Sequence, residues 1–352
     1  MTRGRPRGRS TPDNPPNRFA ALQAEPIDVD LGPDERPVKT TFFRDASKSI
    51  LSRNDSPDIP YTYSINPYRG CEHGCIYCYA RPTHEYLGFS AGLDFESKIM
   101  VKADAATLLE REFRKRSWQP QMICLSGNTD CYQPAERAFE LTRALLGEFT
   151  RFRNPVGIIT KNALITRDLD LLKELAARDL VMVTISLTTL DPALAQAMEP
   201  RTAVPAQRLA AMRTLSDAGI PVAVNTAPVI PGLNDEEIPA LLRAAREAGA
   251  RWASYTILRL PGAVEGLFLD WLQREMPARA SKIENRLRAM RGGELSEARF
   301  GKRMRGEGEF AGAIRQLFRV EARRCGFQEG TFAFDTSVFT RPPANGQGEL
   351  FG

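Results

Sequence analysis

Six short runs rich in β-branched residues, each followed by a helical pattern, predict an α/β fold: a partial (β/α)6 barrel of the TIM type. Three observations carry this reading. The strand candidates are almost continuously apolar, as strands covered on both faces are. The segments between them place apolar residues three and four positions apart, giving each helix one core-facing stripe. No dinucleotide-binding fingerprint accompanies the alternation: the nearest approach, GEGEFAG at 306–312, has the wrong spacing and follows no strand.

Taken in order, residues 1–38 open MTRGRPRGRSTPDNPP and are rich in Pro, Arg and Asp; they are expected to form a mobile, disordered basic tail. The core barrel with its lead-in segment is expected over 39–280. Its strands are YTYSIN (61–66), QMICLSG (121–127), VGIIT (156–160), LVMVTISL (180–187), PVAVNTAPVI (221–230) and WASYTILRL (252–260). Its helices are expected over 105–116, 135–149, 168–178, 207–219, 235–249 and 267–276. Two of these end in Gly219 and Gly249, residues suited to a helix C-terminus. A C-terminal extension over 281–340 combines basic, glycine-broken helices with a strand-like GTFAFDTSVFT, and 341–352 is expected to be a flexible tail.

Hydrophobic residues at 42% and charged residues at 26% fit a globular chain. No run of eighteen apolar residues appears, so no membrane span is expected. The N-terminus lacks the apolar stretch of a secretory signal, so a cytoplasmic location is expected. There, clustered thiols point to metal or redox chemistry more than to disulfides. The net charge of +5 is unevenly placed: Arg3, Arg5, Arg7 and Arg9 stud the tail, and Arg286 to Arg324 holds eleven Lys/Arg against five Glu. Such regions attract phosphate backbones, or form a solvated tail and a solvated helix face.

Half of the six cysteines crowd into GCEHGCIYCYARP, residues 70–82. Three thiols are odd for disulfides and one short of a closed zinc site. Gly70 and Gly74 allow the backbone to bend tightly enough to bring the sulfurs to one centre. Thiolates favour iron–sulfur clusters, zinc or Cu(I). Cys71, Cys75 and Cys78 can hold three irons of a 4Fe–4S cubane and leave the fourth open. Zinc in a Cys3His site built with His73 or His84 is the alternative.

The spacing CxxxCxΦC, with Tyr77 as the aromatic before the last cysteine, resembles the signature of the radical SAM superfamily. The resemblance implies a 4Fe–4S cluster whose open iron is chelated by S-adenosylmethionine. It also implies a one-electron reductant such as flavodoxin or ferredoxin, and reductive cleavage to a 5′-deoxyadenosyl radical that abstracts hydrogen from a substrate. Cofactor contacts are then expected at strand ends and at Tyr77. SGNTDCYQPAE (126–136) offers Thr129 and Asp130 by position, since no GGE-like motif is present; the same residues fit a helix N-cap and turn. Lys161 follows the third strand, Ser186 and Thr188 end the fourth, and Glu199 and Arg201 lie beyond it. An Arg201 fork suits a carboxylate.

YRGCEHGCIYCYAR and TDCYQPAE, with Lys161 and Ser186, resemble the spore photoproduct lyase-like branch labelled DNA-repair photolyases, over about 60–265. In the lyase a hydrogen-donating cysteine follows the second strand, and Lys161 and Ser186 match positions that bind S-adenosylmethionine. Here neither Cys124 nor Cys131 falls at the donor position. Cys131 is expected at the rim as the redox candidate, Cys124 as a small core residue, and Cys325 as incidental. DNA repair or modification of a nucleic acid is the favoured substrate reading, with RNA, peptide and small molecules open. The rival is a non-catalytic iron–sulfur protein that binds nucleic acid or senses redox state. QGELF, Gln347 to Phe351, resembles a degenerate bacterial sliding-clamp-binding peptide.

Overall fold

The computed structural model of the chain describes residues 8–11, 14–15, 26–27 and 38–343. Its strands, in chain order, are β1 (Pro26–Ile27), β2 (Thr41–Arg44), β3 (Leu51–Arg53), β4 (Tyr63–Ile65), β5 (Tyr68–Arg69), β6 (Lys98–Val101), β7 (Ile123–Leu125), β8 (Val156–Thr160), β9 (Val181–Ser186), β10 (Val222–Val229) and β11 (Trp252–Ile257).

The six expected strands are β4 and β7–β11. They pair in parallel, in sequence order, within a sheet ordered β11-β10-β9-β8-β7-β4-β3. β3 adds an antiparallel edge to β4. β3 and β11 are the two ends of the sheet, so the barrel is partial, as expected, and open on one side. That opening is bridged by polypeptide: the loop between β3 and β4 brings Asp58 to Arg303 Nε (2.6 Å) and to the Gly301 N–H (2.7 Å). Behind them, the Ile257 N–H donates to the Met304 carbonyl.

Alternation along the strands decides which face is dry. Ile123, Leu125, Val156, Ile158, Val181, Val183, Val222 and Val224 join one apolar core under the helices. Between them, Ser64, Cys124 and Gly157, in register with one another, and Thr184 and Asn225 further along occupy the opposite, lumen face. The expected helices are present, with ends shifted by a few residues. Gly249 follows the helix Ile238–Glu247 at φ +95°, where a Cβ would meet Ser216 Oγ at 2.3 Å. The stretch 135–149 is instead two helices, Glu136–Phe139 and Leu141–Phe152, broken at Glu140 (φ 49°). The buried Glu136 carboxylate causes the break: it accepts from Tyr68 Oη (2.6 Å) and from the free Thr142 N–H (3.0 Å) of the second helix.

Three expectations are corrected. The lead-in is part of a second sheet, β1-β2-β6-β5, whose strands of two to four residues are too short to show periodicity. Parts of the expected mobile tail are attached to the body: β1 pairs with β2, and Arg9 and Ser10 are fully buried. In the extension, GTFAFDTSVFT forms no strand; Phe339 packs on Phe113 (6.0 Å between ring centroids) and on Phe152, and Arg341 donates to the Phe113 and Trp118 carbonyls. The helices of the extension are Ala280–Ala289 and Gly308–Arg324. The remainder of 1–38 and residues 344–352, including the QGELF peptide, lie outside the described residues. No helix among the described residues is long and apolar enough to cross a membrane.

Candidate functional site

The cysteine loop leaves β5, the short strand that follows β4, and is tied down by its backbone. Cys71 N–H donates to the Phe95 carbonyl (2.8 Å) and Ile76 N–H to the Met198 carbonyl (3.0 Å). Gly74 sits at φ +65°, and a Cβ there would stand 2.8 Å from Glu96 Oε2. Only glycine fits that turn and that approach.

Beneath the loop lies a buried ion pair that sequence reasoning missed. Arg81 and Glu96, both 0% exposed, meet at 2.6 Å. Arg81 also donates to the Cys75 carbonyl through Nε (3.0 Å) and Nη2 (2.9 Å). Glu96 accepts from Ser10 Oγ (2.6 Å), and Arg9 reaches the Glu96 carbonyl and Thr40 Oγ1 (3.0 Å). Four elements distant in sequence thus fix the loop carrying the thiols. A second lock holds its other side: Tyr77 Oη donates to Glu199, which is also bound by Arg208 and by Thr188 Oγ1 (2.7 Å). Burial pushes the Glu199 carboxyl up, and the Arg208 charge opposes this.

Cys71 and Cys75 are buried, Cys78 is partly exposed, and all three are free thiols. Burial pushes each thiol up, while Lys161 works in the opposite direction on Cys75 and Cys78. Burial lowers Lys161, and the Cys75 sulfur opposes that. Its Nζ lies 5.9 Å from the Tyr77 ring centroid and has no ion-pair partner among the described residues. Cys75 and Cys78 therefore lie within electrostatic reach of an ammonium without an ion-pair partner, on the loop that also carries Cys71.

That donor set fits a group taking three thiolates together with an anionic ligand. The Cys3His alternative fares worse. His73 engages Asp130 through Nδ1 (3.3 Å) and Asn162 through Nε2 (3.2 Å). His84 is buried against Phe89 and Phe95, and burial depresses it to about 4. Among the described residues no group of three or more His, Cys, Asp or Glu gathers around a point that one metal ion would fill.

The other expected residues divide. Ser186 ends β9 on the lumen face, opposite Asn225. Asp130 is committed internally: it accepts from Thr160 Oγ1 (2.8 Å), Lys161 N–H (2.7 Å), Tyr132 N–H (2.9 Å) and His73. Burial raises its carboxyl, but His73 and the N–H donors outweigh this and hold it below the usual range. Thr129 gives its hydroxyl to the Tyr68 carbonyl (2.6 Å) and its N–H to Asn66. Arg201 pairs with Glu72 in the cysteine loop (2.9 Å). Thr129, Asp130 and Arg201 therefore hold the loop in place.

The two further cysteines exchange their expected positions. Cys131, in the turn beyond β7, is fully buried in the main apolar core. Cys124 faces the lumen at 2% exposure, with the Tyr61 hydroxyl beside it, and burial pushes it up to about 12. Cys124 takes its direction from the alternation along β7, whereas Cys131 lies in the turn beyond that strand and is turned into the core.

The chain belongs to the radical SAM superfamily, whose family model matches residues 65–245. It is an enzyme family that uses a 4Fe–4S cluster and S-adenosylmethionine. An uncharacterized protein of Mycobacterium tuberculosis is 39% identical over 245 residues, which are 69% of this chain and 72% of that one. Another from Methanocaldococcus jannaschii is 31% identical over 175 residues, 50% of this chain and 63% of that one. Among solved structures, spore photoproduct lyase complexed with dinucleoside spore photoproduct shares the fold at a TM-score of 0.60 and 16% identity, covering 81% of this chain and 80% of that one. A variant of that lyase with bound AdoMet and the dinucleoside matches at 0.57 and 17% identity, covering 78% and 77%.

Proposed function

We propose that Cys71, Cys75 and Cys78 hold the 4Fe–4S cluster and that the enzyme acts on a substrate admitted at the mouth of the barrel. The cluster, when bound and reduced, supplies the electron that cleaves S-adenosylmethionine to methionine and a 5′-deoxyadenosyl radical. The observation carrying this reading is the placing of three free thiols, two of them buried, on one loop beside the unpaired Lys161 ammonium at the strand C-terminal ends.

Each residue then has a task. Lys161 is aimed to pair with the cofactor carboxylate, and Ser186 offers a hydroxyl on the lumen face. The Tyr77 ring lines the site, its hydroxyl being engaged by Glu199. Asp130 fixes His73 and the Lys161 backbone at once, so it positions rather than binds. Cys124 replaces Cys131 as the candidate hydrogen donor, because it alone of the two faces the lumen.

A nucleic acid is the favoured substrate, in repair or base modification, supported by the basic extension and by the lyase-like fold. The thiol cluster fits a reducing, cytoplasmic setting with a flavodoxin- or ferredoxin-type donor. The test is anaerobic reconstitution with iron and sulfide, then dithionite and S-adenosylmethionine. The expected outcome is about four irons per chain and accumulation of 5′-deoxyadenosine. Iron without 5′-deoxyadenosine would instead favour a non-catalytic iron–sulfur protein.

A further inference from the structure

Beyond β11 the chain crosses the mouth of the barrel, and there cations outnumber their carboxylate partners. Of Arg259, Arg291, Arg299, Lys302, Arg303 and Arg305, only three have carboxylate partners among the described residues. Arg299 pairs with Glu297 (2.5 Å), Lys302 with Glu307 (2.7 Å) and Arg303 with Asp58 (2.6 Å). Arg305 donates to the Tyr255 carbonyl (3.0 Å) and lies over that ring. Arg291 is 4% exposed, donates to the Leu258 carbonyl through Nη2, and has a buried Nε without a partner. Half-buried Arg259 makes no hydrogen bond or ion pair among the described residues; its guanidinium lies 5.6 Å from the Tyr79 ring centroid.

Tyr79 ties this corner to the cysteine loop. It follows Cys78 directly, and its hydroxyl donates to the Gly127 carbonyl (2.5 Å) beyond β7. Arg259 therefore sits in the same mouth as the thiols. Burying a guanidinium without an anion is costly. Burial and the nearby Arg303 charge lower Arg259, and burial and Arg259 lower Arg291. The carboxylates acting on them through space are taken: Asp58 by Arg303 and the Gly301 N–H, Glu297 by Arg299. What the corner lacks is an anion with several acceptor oxygens. Beside it, Tyr79 (44% exposed) and Phe300 (56% exposed) present open ring faces, with Arg303 4.5 Å from the Phe300 centroid.

We propose that Arg259, backed by Arg291 and flanked by Tyr79, binds a phosphate group of the substrate at the barrel mouth. The inference rests on reading that mouth as the substrate entrance of the radical enzyme. A phosphodiester of a single-stranded nucleic acid and the phosphate of a small phosphorylated molecule share this chemistry.

Binding to the full-length, anaerobically purified protein separates these sources, with neither reductant nor S-adenosylmethionine present. A fluorescent single-stranded 12-mer is titrated by anisotropy, with a mononucleotide and inorganic pyrophosphate as competitors. Arg259→Gln is expected to weaken binding about tenfold and to lower the salt slope by about 0.7. Arg259→Lys keeps the slope, because the charge remains. Arg274→Gln, which removes a cation paired with Asp270 one turn away within the helix Val264–Glu275, leaves binding unchanged. Competition by oligonucleotide alone assigns the phosphodiester; equal competition by mononucleotide assigns a small phosphorylated substrate. Equal binding by wild type and folded Arg259→Gln, equal losses in Arg259→Gln and Arg274→Gln, or no binding by wild type in any arm overturns the proposal. Iron content and 5′-deoxyadenosine report separately on the radical reading.

Discussion

The two sides of the barrel mouth handle charge in opposite ways. Around the cysteine loop almost every buried ionisable side chain has a fixed partner: Arg81 with Glu96, Arg208 with Glu199, His73 with Asp130, Arg201 with Glu72. Lys161 and the ring of His84, which packs on Phe89 and Phe95, are exceptions. Across the mouth, after β11, Arg259 and Arg291 have no carboxylate, and the acids nearby are committed to other arginines. The first side is preorganised around a resident group. The second keeps a charge surplus that only a visiting anion would relieve. Catalytic sites that must hold a reactive group still, yet accept different molecules in turn, need both arrangements.

The largest effect that would break this comparison is at the thiols. Cys75→Ala is expected to reduce iron content and 5′-deoxyadenosine formation to background, whereas Cys325→Ala, on the distant C-terminal helix end, keeps both. Metal analysis and product chromatography decide it. Next, Arg81→Met leaves the Glu96 carboxylate without its buried cation and should cost about 3–5 kcal/mol in denaturant unfolding. A loss under about 1 kcal/mol would show that the lock is dispensable.

Gly74→Ala forces a side chain into left-handed backbone against Glu96 and is expected to cost about 1–3 kcal/mol, with poorer cluster retention on gel filtration. The smallest effect belongs to the other side. The Gly301 N–H and Arg303 hold the Asp58 carboxyl below its usual range. A depressed folded pKa gives stabilisation that is present above about pH 4, the unfolded value, and is lost as pH falls through the lower folded one. Hydrogen exchange over 299–305 should therefore quicken between pH 5 and 3 relative to the barrel strands. An unchanged ratio would mean that Asp58 does not clasp the opening.

The barrel was legible because parallel strands write themselves as uninterrupted apolar runs, and all six were found where the pattern put them. The cysteine loop was legible because its spacing is local. The locks were not: Ser10 meets Glu96, and Tyr77 meets Glu199, across long stretches of chain that no periodicity connects. Likewise Thr129 and Asp130 have residue types that fit a ligand site or a brace, and only their partners distinguish the two. Cys124 and Cys131 exchanged positions because Cys124 takes its face from the alternation along β7, while the turn that carries Cys131 folds back into the core, and composition shows neither. The second sheet escaped notice for want of length.

The central claim is that three cysteines leave one iron free to receive S-adenosylmethionine beside Lys161. Electron paramagnetic resonance of the reconstituted, dithionite-reduced protein tests it directly. A reduced 4Fe–4S signal that changes shape when S-adenosylmethionine is added, with Lys161→Met requiring more cofactor for the same change, is the predicted result. A cluster signal indifferent to S-adenosylmethionine at saturating concentration would contradict the account.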